Sequence, residues 1–299
     1  MSALTIGITT RDRPRALSRL VDSLALLSEF EPRVTVFDDG STPPASHTLA
    51  GLSTRLRIRI IRDETGAAYI VGRNRIMSEA TTPFVLLLDD DAVILDVEPV
   101  RTAIALLERD PTVAAIAFAQ AEADGRPWPV SMQPGGAGVP SLVPSYIGFA
   151  HLLRADAFRA RGGYRELLAF YGEEKELCVR LWNEGQKVVY LPHALIAHVP
   201  DSAARSQSRY VRYAIRNDCL FSILNEPLPL PLVSIPVRLR RYLSMARTVD
   251  NGDAGGLRWL IADLLRSAPQ AWRLRRAVSW KTLRYWRHLG RNAVPYIAP

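Results

Sequence analysis

Apolar residues fall into short runs that end in small or acidic side chains. Leu4-Thr5-Ile6-Gly7-Ile8-Thr9, Arg33–Phe37, Ile58–Ile61, Phe84–Leu88 and Val113–Ala119 read as strands. Between them the spacing lengthens. Leu17, Leu20, Val21, Leu24 and Leu27 recur near helical intervals, and with Pro14 in the first turn they predict a helix over Pro14–Leu27. Val71–Glu79 and Pro99–Glu108 predict two more helices. Strands alternating with helices predict an α/β fold with a mostly parallel sheet, in which functional groups gather at the carboxyl ends of the strands. Thr9-Thr10-Arg11, Asp38-Asp39 and Asp89-Asp90-Asp91 stand at such ends.

Beyond Ala119 the pattern changes. Residues 127–147 are rich in Pro and Gly and read as one long loop. Gly162-Gly163-Tyr164 precedes Glu173, Glu174 and Glu176, which head a helical run through Leu177, Val179, Arg180 and Trp182. Val188–Leu191 predicts a strand, and Ala194–Val199 a second apolar run beside His198. From 205 onward the pattern is helical and basic, divided by Gly255-Gly256 and Pro269. Leu257, Leu260, Ile261, Leu264 and Leu265 form one apolar stripe there. No internal repeat is present.

The composition narrows the class. Hydrophobic residues make up 48% and charged residues 23% of 299 residues, which is globular and excludes disorder. Cys178 and Cys219 make neither a disulfide framework nor metal-ligand spacing, which points to reduced packing residues in a cytosolic protein. The chain enters a strand-like run at Leu4 with no basic leader, and its longest uncharged stretch, 127–153, holds five prolines and four glycines. Neither a signal peptide nor a membrane-spanning helix is expected. The expected location is cytoplasmic. Charge is uneven: residues 205–299 hold 17 Lys+Arg and 5 Asp+Glu, a net of +12, whereas 1–204 hold 21 and 25, a net of −4. An acidic body with a basic tail implies two surfaces with different uses.

Asp89-Asp90-Asp91 is the sharpest chemical signal. Three adjacent carboxylates repel one another, and Mg²⁺ or Mn²⁺, which takes hard oxygen ligands together with phosphate oxygens, would relieve that repulsion. A solvated acidic turn is the plain alternative. His198 could complete a metal site, although a lone histidine is more often only a packing or surface residue. Asp38-Asp39-Gly40-Ser41 reads either as an Asp/Gly turn or as a carboxylate that takes hydrogen bonds from a nucleobase or ribose. Glu173-Glu174 is either the ordinary acidic first turn of a helix or a pair in which one pKa rises and a general base results. Arg73 could meet phosphate or stand at the surface.

In chain order these pieces resemble the inverting glycosyltransferases of glycosyltransferase family 2. The resemblance runs through Leu4–Arg11, Val36–Ser41, Gly72-Arg73-Asn74, Leu87–Asp91, Gly162–Glu166, Tyr171–Arg180 and His198, about the first two-thirds of the chain. It implies a GT-A fold, with a Rossmann-like, mostly parallel sheet flanked by helices and a helical C-terminal extension. It implies a catalytic domain over 1–204, with a nucleotide-sugar half near 1–120 and an acceptor half near 121–204, followed by a basic helical extension over 205–299. The nucleotide-sugar set it assigns is Thr9, Thr10, Arg11, Asp38, Asp39, Arg73, Asn74, Asp89 and Asp90, with Asp38 facing the base and Arg73 near the nucleotide or its phosphates. Asp91, Asp89 and His198 are the implied ligands of Mn²⁺ or Mg²⁺. Glu174 falls at the family's catalytic base, but the usual Glu-Asp pair is Glu-Glu here, so Glu173 and Glu174 both remain candidates. The implied reaction moves a sugar from a nucleoside-diphosphate sugar to a hydroxyl of a glycan, lipid-linked or small-molecule acceptor, without a covalent enzyme nucleophile.

The tail keeps three uses open: a helical layer packed on the catalytic body, contact with an anionic membrane face, or self-association. Nucleic-acid binding fits a pI near 9.8 but lacks any motif for it. A nucleotidyltransferase and a sugar-nucleotide-binding protein without catalysis are the remaining rivals.

Overall fold

A computed structural model of the chain describes residues 4–52, 56–136, 138–200, 206–249 and 253–299. The expected boundary between 204 and 205 lies outside the described residues. The elements run β1 (Leu4–Thr10), α1 (Pro14–Ser23), β2 (Arg33–Asp38), α2 (Ala45–Ala50), β3 (Ile58–Arg62), α3 (Tyr69–Glu79), β4 (Phe84–Asp89), β5 (Ala92–Val93), α4 (Glu98–Arg109) and β6 (Val113–Ala121). There follow β7 (Ser141–Leu142), β8 (Ala150–Arg154), α5 (Ala155–Ala160), α6 (Glu173–Asn183) and β9 (Lys187–His198). The chain ends with α7 (Gln207–Asn225), α8 (Pro231–Ala246), α9 (Gly256–Arg273), α10 (Trp280–Leu289) and β10 (Val294–Pro295).

One sheet carries the site, in the order β10-β7-β9-β6-β8-β4-β1-β2-β3, with β5 on β9. It is mixed. Strands β3, β2, β1 and β4 are parallel, as their continuous apolar runs predict, and β6 with β9 is parallel too. Strand β8 runs backwards between β4 and β6. In the register Thr9 lies opposite both Phe37 and Asp89, and Thr10 opposite Asp38, so all three motif-bearing strand ends share one edge.

Alternation along the strands builds two cores. Phe84, Leu86 and Leu88 of β4 point to the layer holding α1, α2 and α4, while Val85 and Leu87 point to the layer holding α3, α5 and α6. The second core continues without a break into the basic extension through Ile215, Leu220, Tyr242 and Leu260. The acidic body and the basic helices therefore pack on one shared apolar surface. Among the described residues no helix is long and apolar enough to cross a membrane.

Three expectations need correction. The helix over Pro14–Leu27 stops at Ser23 and tightens into a 3₁₀ segment, Leu24–Phe30, that ends at Glu31 with φ of 44°. The stretch 127–147, expected as one long loop, contains a 3₁₀ turn at Val130–Met132 and the short strand β7, and it leads into β8. The two apolar runs at 188–199 are one twelve-residue strand, with a register shift against β6 that accommodates Pro192.

Candidate functional site

Most of the polar groups on the shared edge hold the protein together. Asp38 is fully buried. Its Oδ1 accepts the amide of Ser41 at 2.8 Å, and its Oδ2 accepts the amide of Ala45 at 2.9 Å and the guanidinium of Arg62. Burial raises its pKa, but the bonds from Ser41, Ala45 and Arg62 outweigh it and leave a net lowering. Asp38, expected to face a nucleobase, is thus buried beneath the turn that its carboxylate closes. Asp39 stands nearer the edge. It accepts the Ala68 amide at 3.0 Å and lies 3.7 Å from Arg11, whose side chain is mostly exposed. Thr9 is buried beside them.

The aspartate triplet divides into three environments. Asp90 accepts Thr10 Oγ1 at 2.8 Å and Arg13 Nη1 at 3.0 Å, with burial lifting its pKa to about 6 against both partners. Thr10 and Asp90, both expected at the nucleotide, brace the strand ends through these bonds. Asp89 is the open member, with about a third of its side chain exposed, and accepts Arg73 Nη2 at 2.6 Å. Asp91 turns inward. Its Oδ2 lies 3.3 Å from Arg13 and its Oδ1 lies 3.4 Å from His198 Nε2, because β5 pairs Ala92 with His198.

His198 is held firmly. Trp128 and Phe149 stack on its two faces, with centroids 5.2 and 4.7 Å away. Gln120 donates through Nε2 to Met132 O, which turns its Oε1 toward His198 Nδ1 at 2.7 Å. With Nδ1–H donating, Nε2 presents its lone pair toward Asp91, the tautomer that a metal ligand needs. A carboxylate oxygen and an imidazole nitrogen at this distance suit Mn²⁺ or Mg²⁺ completed by phosphate oxygens. The three expected ligands do not converge. Asp89 is engaged by Arg73 on the edge, and among the described residues no group of three His, Cys, Asp or Glu side chains is arranged to hold an ion.

Arg73 is the hub between the two halves. Helix α3 approaches β2 so closely that a Cβ on Gly72 would come within 2.4 Å of the Phe37 ring, and this sinks the next residue into the core. Arg73 is 2% exposed and donates to Asp89, Glu173 and Gly148 O at 2.6 to 2.7 Å. It meets the strand-end edge, where contact with nucleotide or phosphates was expected, through Asp89. Asn74 also faces elsewhere. It exchanges two hydrogen bonds with the Tyr164 backbone and donates to Glu166. Tyr164 lies beneath it, buried and hydrogen-bonded to Tyr146 and His151.

The glutamates at the start of α6 are separated by environment. Glu173 is fully buried, accepting Arg73 at 2.7 Å and Tyr69 at 2.9 Å. Glu174 sits 3.9 Å from Arg73 and opens into a cavity of about 180 Å³ lined by Tyr146, Gly148, Tyr171, Lys175, Asp218 and Phe221 among others. A Cβ on Gly148 would lie 2.1 Å from Glu174 Oε1, so glycine is what leaves room for that carboxyl. Burial, then the charge of Glu173, pushes Glu174 well above the ordinary carboxyl range, with Arg73 opposing. Such a group, facing a cavity, can take a proton from a hydroxyl. Arg13, Tyr69, Gly148 and Lys175 escape a reading of the sequence. Gln120 leaves a signal there, as a polar residue in the apolar run of β6.

Comparison with known proteins places this arrangement. The family model described as Glycosyl transferase family 2 matches residues 5–162, and the chain belongs to that family. The pre-mycofactocin glycosyltransferase of Mycobacterium tuberculosis is 33% identical over 211 residues, which cover 65% of this chain and 42% of that protein. The chain thus spans well under half the length of the curated relatives it matches. The structure of S. aureus TarS 1-349 in complex with UDP-GlcNAc superposes with a TM-score of 0.63 at 17% identity, over 91% of this chain and 83% of that one. The mannosyltransferase PcManGT from Pyrobaculum calidifontis, in complex with GDP-Man and Mn²⁺, gives 0.60 at 15% identity over 96% and 83%. The fold is that of the GT-A glycosyltransferases, with a helical C-terminal part.

Proposed function

We propose that this protein transfers a sugar from a nucleoside-diphosphate sugar to an acceptor hydroxyl with inversion at the anomeric carbon. One observation carries the reading: Glu174, with its raised pKa, faces a cavity and is joined through Arg73 to Asp89 at the strand-end edge. The donor is placed on that edge by Thr9, Arg11, Asp39 and Asp89, within the half formed by residues 1–120. The acceptor enters the cavity built by residues 121–204 with a wall from α7. Asp91 and His198 would hold Mn²⁺ or Mg²⁺, whose charge offsets that of the diphosphate. The relatives' donors, UDP-GlcNAc and GDP-Man, support a nucleoside-diphosphate sugar here.

In the transfer Glu174 takes the acceptor hydroxyl proton. The acceptor oxygen forms its bond to the anomeric carbon from the face opposite the diphosphate, and the carbon–phosphate-oxygen bond breaks with its electron pair leaving on the nucleoside diphosphate. A single displacement inverts the centre. Glu173 stays paired with Arg73 and Tyr69, which keeps the proton-accepting role on Glu174.

The test is a panel of nucleotide sugars with Mn²⁺ or Mg²⁺, read by nucleoside-diphosphate release and by NMR of the product anomer. Glu174→Gln should lower kcat by about 10²–10⁴ while donor affinity stays within about twofold. Normal turnover by that variant sinks the assignment. Release of pyrophosphate from a triphosphate would instead establish a nucleotidyltransferase, and donor binding without turnover a protein that only holds the sugar nucleotide.

A further inference from the structure

Helices α8 and α9 pack on α7 and each buries one stripe: Pro231, Tyr242 and Ala246 on α8, and Leu260, Leu264 and Ala271 on α9. The stripe beside the buried one on α9 is apolar as well. Ile261, Leu265 and Trp272 fall within about 40° of one another around the helix axis. They are nevertheless 44%, 72% and 56% exposed. Arg258, Arg266 and Arg273 follow on the next stripe and are exposed. Helix α8 repeats the mixture, with Leu232, Val233 and Val237 each more than 60% exposed beside exposed Arg240 and Arg241.

The charge on this side is lopsided. Residues 227–299 hold 13 Lys+Arg and 3 Asp+Glu. The two acids among them that the structure describes are engaged, Asp253 by Arg212 and Tyr242, and Asp263 by Arg216. Arg266 meets Asp263 at 3.6 Å and Arg241 meets Asp218 at 3.9 Å, whereas among the described residues no acid pairs with Arg240, Arg258 or Arg273. We infer that the outer face of α8 and α9 lies on an anionic lipid surface, with Leu265 and Trp272 among the upper acyl chains and the arginines on the headgroup phosphates.

Both halves of the pattern are needed to select this occupant. Exposed aliphatic side chains flanked by arginine and tryptophan are what an interfacial helix presents to a charged bilayer. A second copy of the chain would set arginine against arginine across a two-fold axis. A nucleic acid would meet the arginines but would have no use for Leu232, Val233, Val237 and Leu265. Since no described helix can cross a membrane, the contact is one of lying on the surface. It is independent of the transfer reaction, so its failure and the failure of the proposed function are separate results.

The experiment is co-sedimentation of the whole chain with phosphatidylcholine vesicles, with and without phosphatidylglycerol. Partitioning onto the anionic vesicles should exceed that onto the neutral ones by roughly tenfold and fall as salt is raised. The Leu265→Ser/Trp272→Ser variant should lose at least about fivefold of it, and so should Arg240→Glu/Arg273→Glu. All four residues are exposed, and an unchanged thermal melt verifies that each variant is folded. Failure to sediment with either vesicle overturns the inference. So does full retention by Leu265→Ser/Trp272→Ser, which would leave only adsorption of a cation. A dimer in analytical ultracentrifugation that the same double substitution dissolves would assign the face to self-association and overturn it equally.

Discussion

Glu173 and Glu174 are neighbours on one helical turn, yet only one of them meets a cavity. Because burial and the charge of Glu173 both raise the pKa of Glu174, the base is ionised only above the usual carboxyl range. Activity should therefore climb with pH along a limb displaced upward from that range, and Glu173→Gln, which removes a neighbouring negative charge and frees Arg73, should move the limb down. A pH profile of kcat for the two proteins checks the direction. The metal pair makes a second prediction at this scale. Asp91→Ala and His198→Ala should each weaken Mn²⁺ binding in the presence of nucleoside diphosphate by about tenfold or more, read by calorimetry, while Asp90→Asn should disturb folding rather than affinity. Asp89, Asp91, His198 and Glu174 stand out in the sequence because acidic or imidazole groups beside apolar runs have few structural reasons to be there. In the folded chain Asp38, Asp90, Arg73 and Asn74 each hold internal hydrogen bonds, and nothing in the sequence marks which side chains do so. Only the packed chain decides that.

At the level of elements, the parallel strands β1, β2, β3 and β4 could be read from their runs, and so could helices α3, α4 and α6. Strand β8 could not, since five residues after a Pro/Gly-rich stretch give too short a pattern to stand out. Nor could the joining of the two runs in β9, because a proline inside a strand reads as a break until a bulge is seen to absorb it. The junction between α4 and β6 illustrates how such elements are tied. Asp110 is buried and accepts from Thr112, Lys187 and Tyr296. Burial raises its pKa, but those bonds more than reverse this and bring it down to about 2. Its stabilising contribution is therefore present above the unfolded value near 4 and disappears as pH falls from about 4 to 2. Asp110→Asn should cost about 1–2 kcal/mol at neutral pH and flatten the acid limb of a stability curve across that window, as measured by urea melts at several pH values.

The molecule as a whole is less divided than its charge suggests. The net of −4 against +12 reads as two bodies, but Ile215, Leu220, Tyr242 and Leu260 share a core with the sheet, and α7 supplies Asp218 and Phe221 to the cavity beside Glu174. Phe221 carries Lys175 over its ring at 4.7 Å, and Lys175 in turn meets Asp218 at 2.6 Å. Phe221→Ala should raise the acceptor KM about tenfold while leaving the donor KM within about twofold, a split that steady-state kinetics with each substrate varied will read. Charge sign marks a surface, whereas apolar continuity marks a folding unit, and the two need not coincide.

Strand β8 runs against β4 and β6, so it enters the sheet at the edge where β4 leaves it. Its approach, through Gly148 and Phe149, therefore arrives beside the departing Asp89, whose amide donates to Phe149 O at 2.8 Å. One reversed strand makes the proposed reaction chamber a meeting of an outgoing and an incoming segment. On the proposed reading, the stretch from 143 to 148 can be lengthened or recomposed to suit another recipient molecule while the proposed sugar-nucleotide platform on β1, β2 and β4 stays as it is.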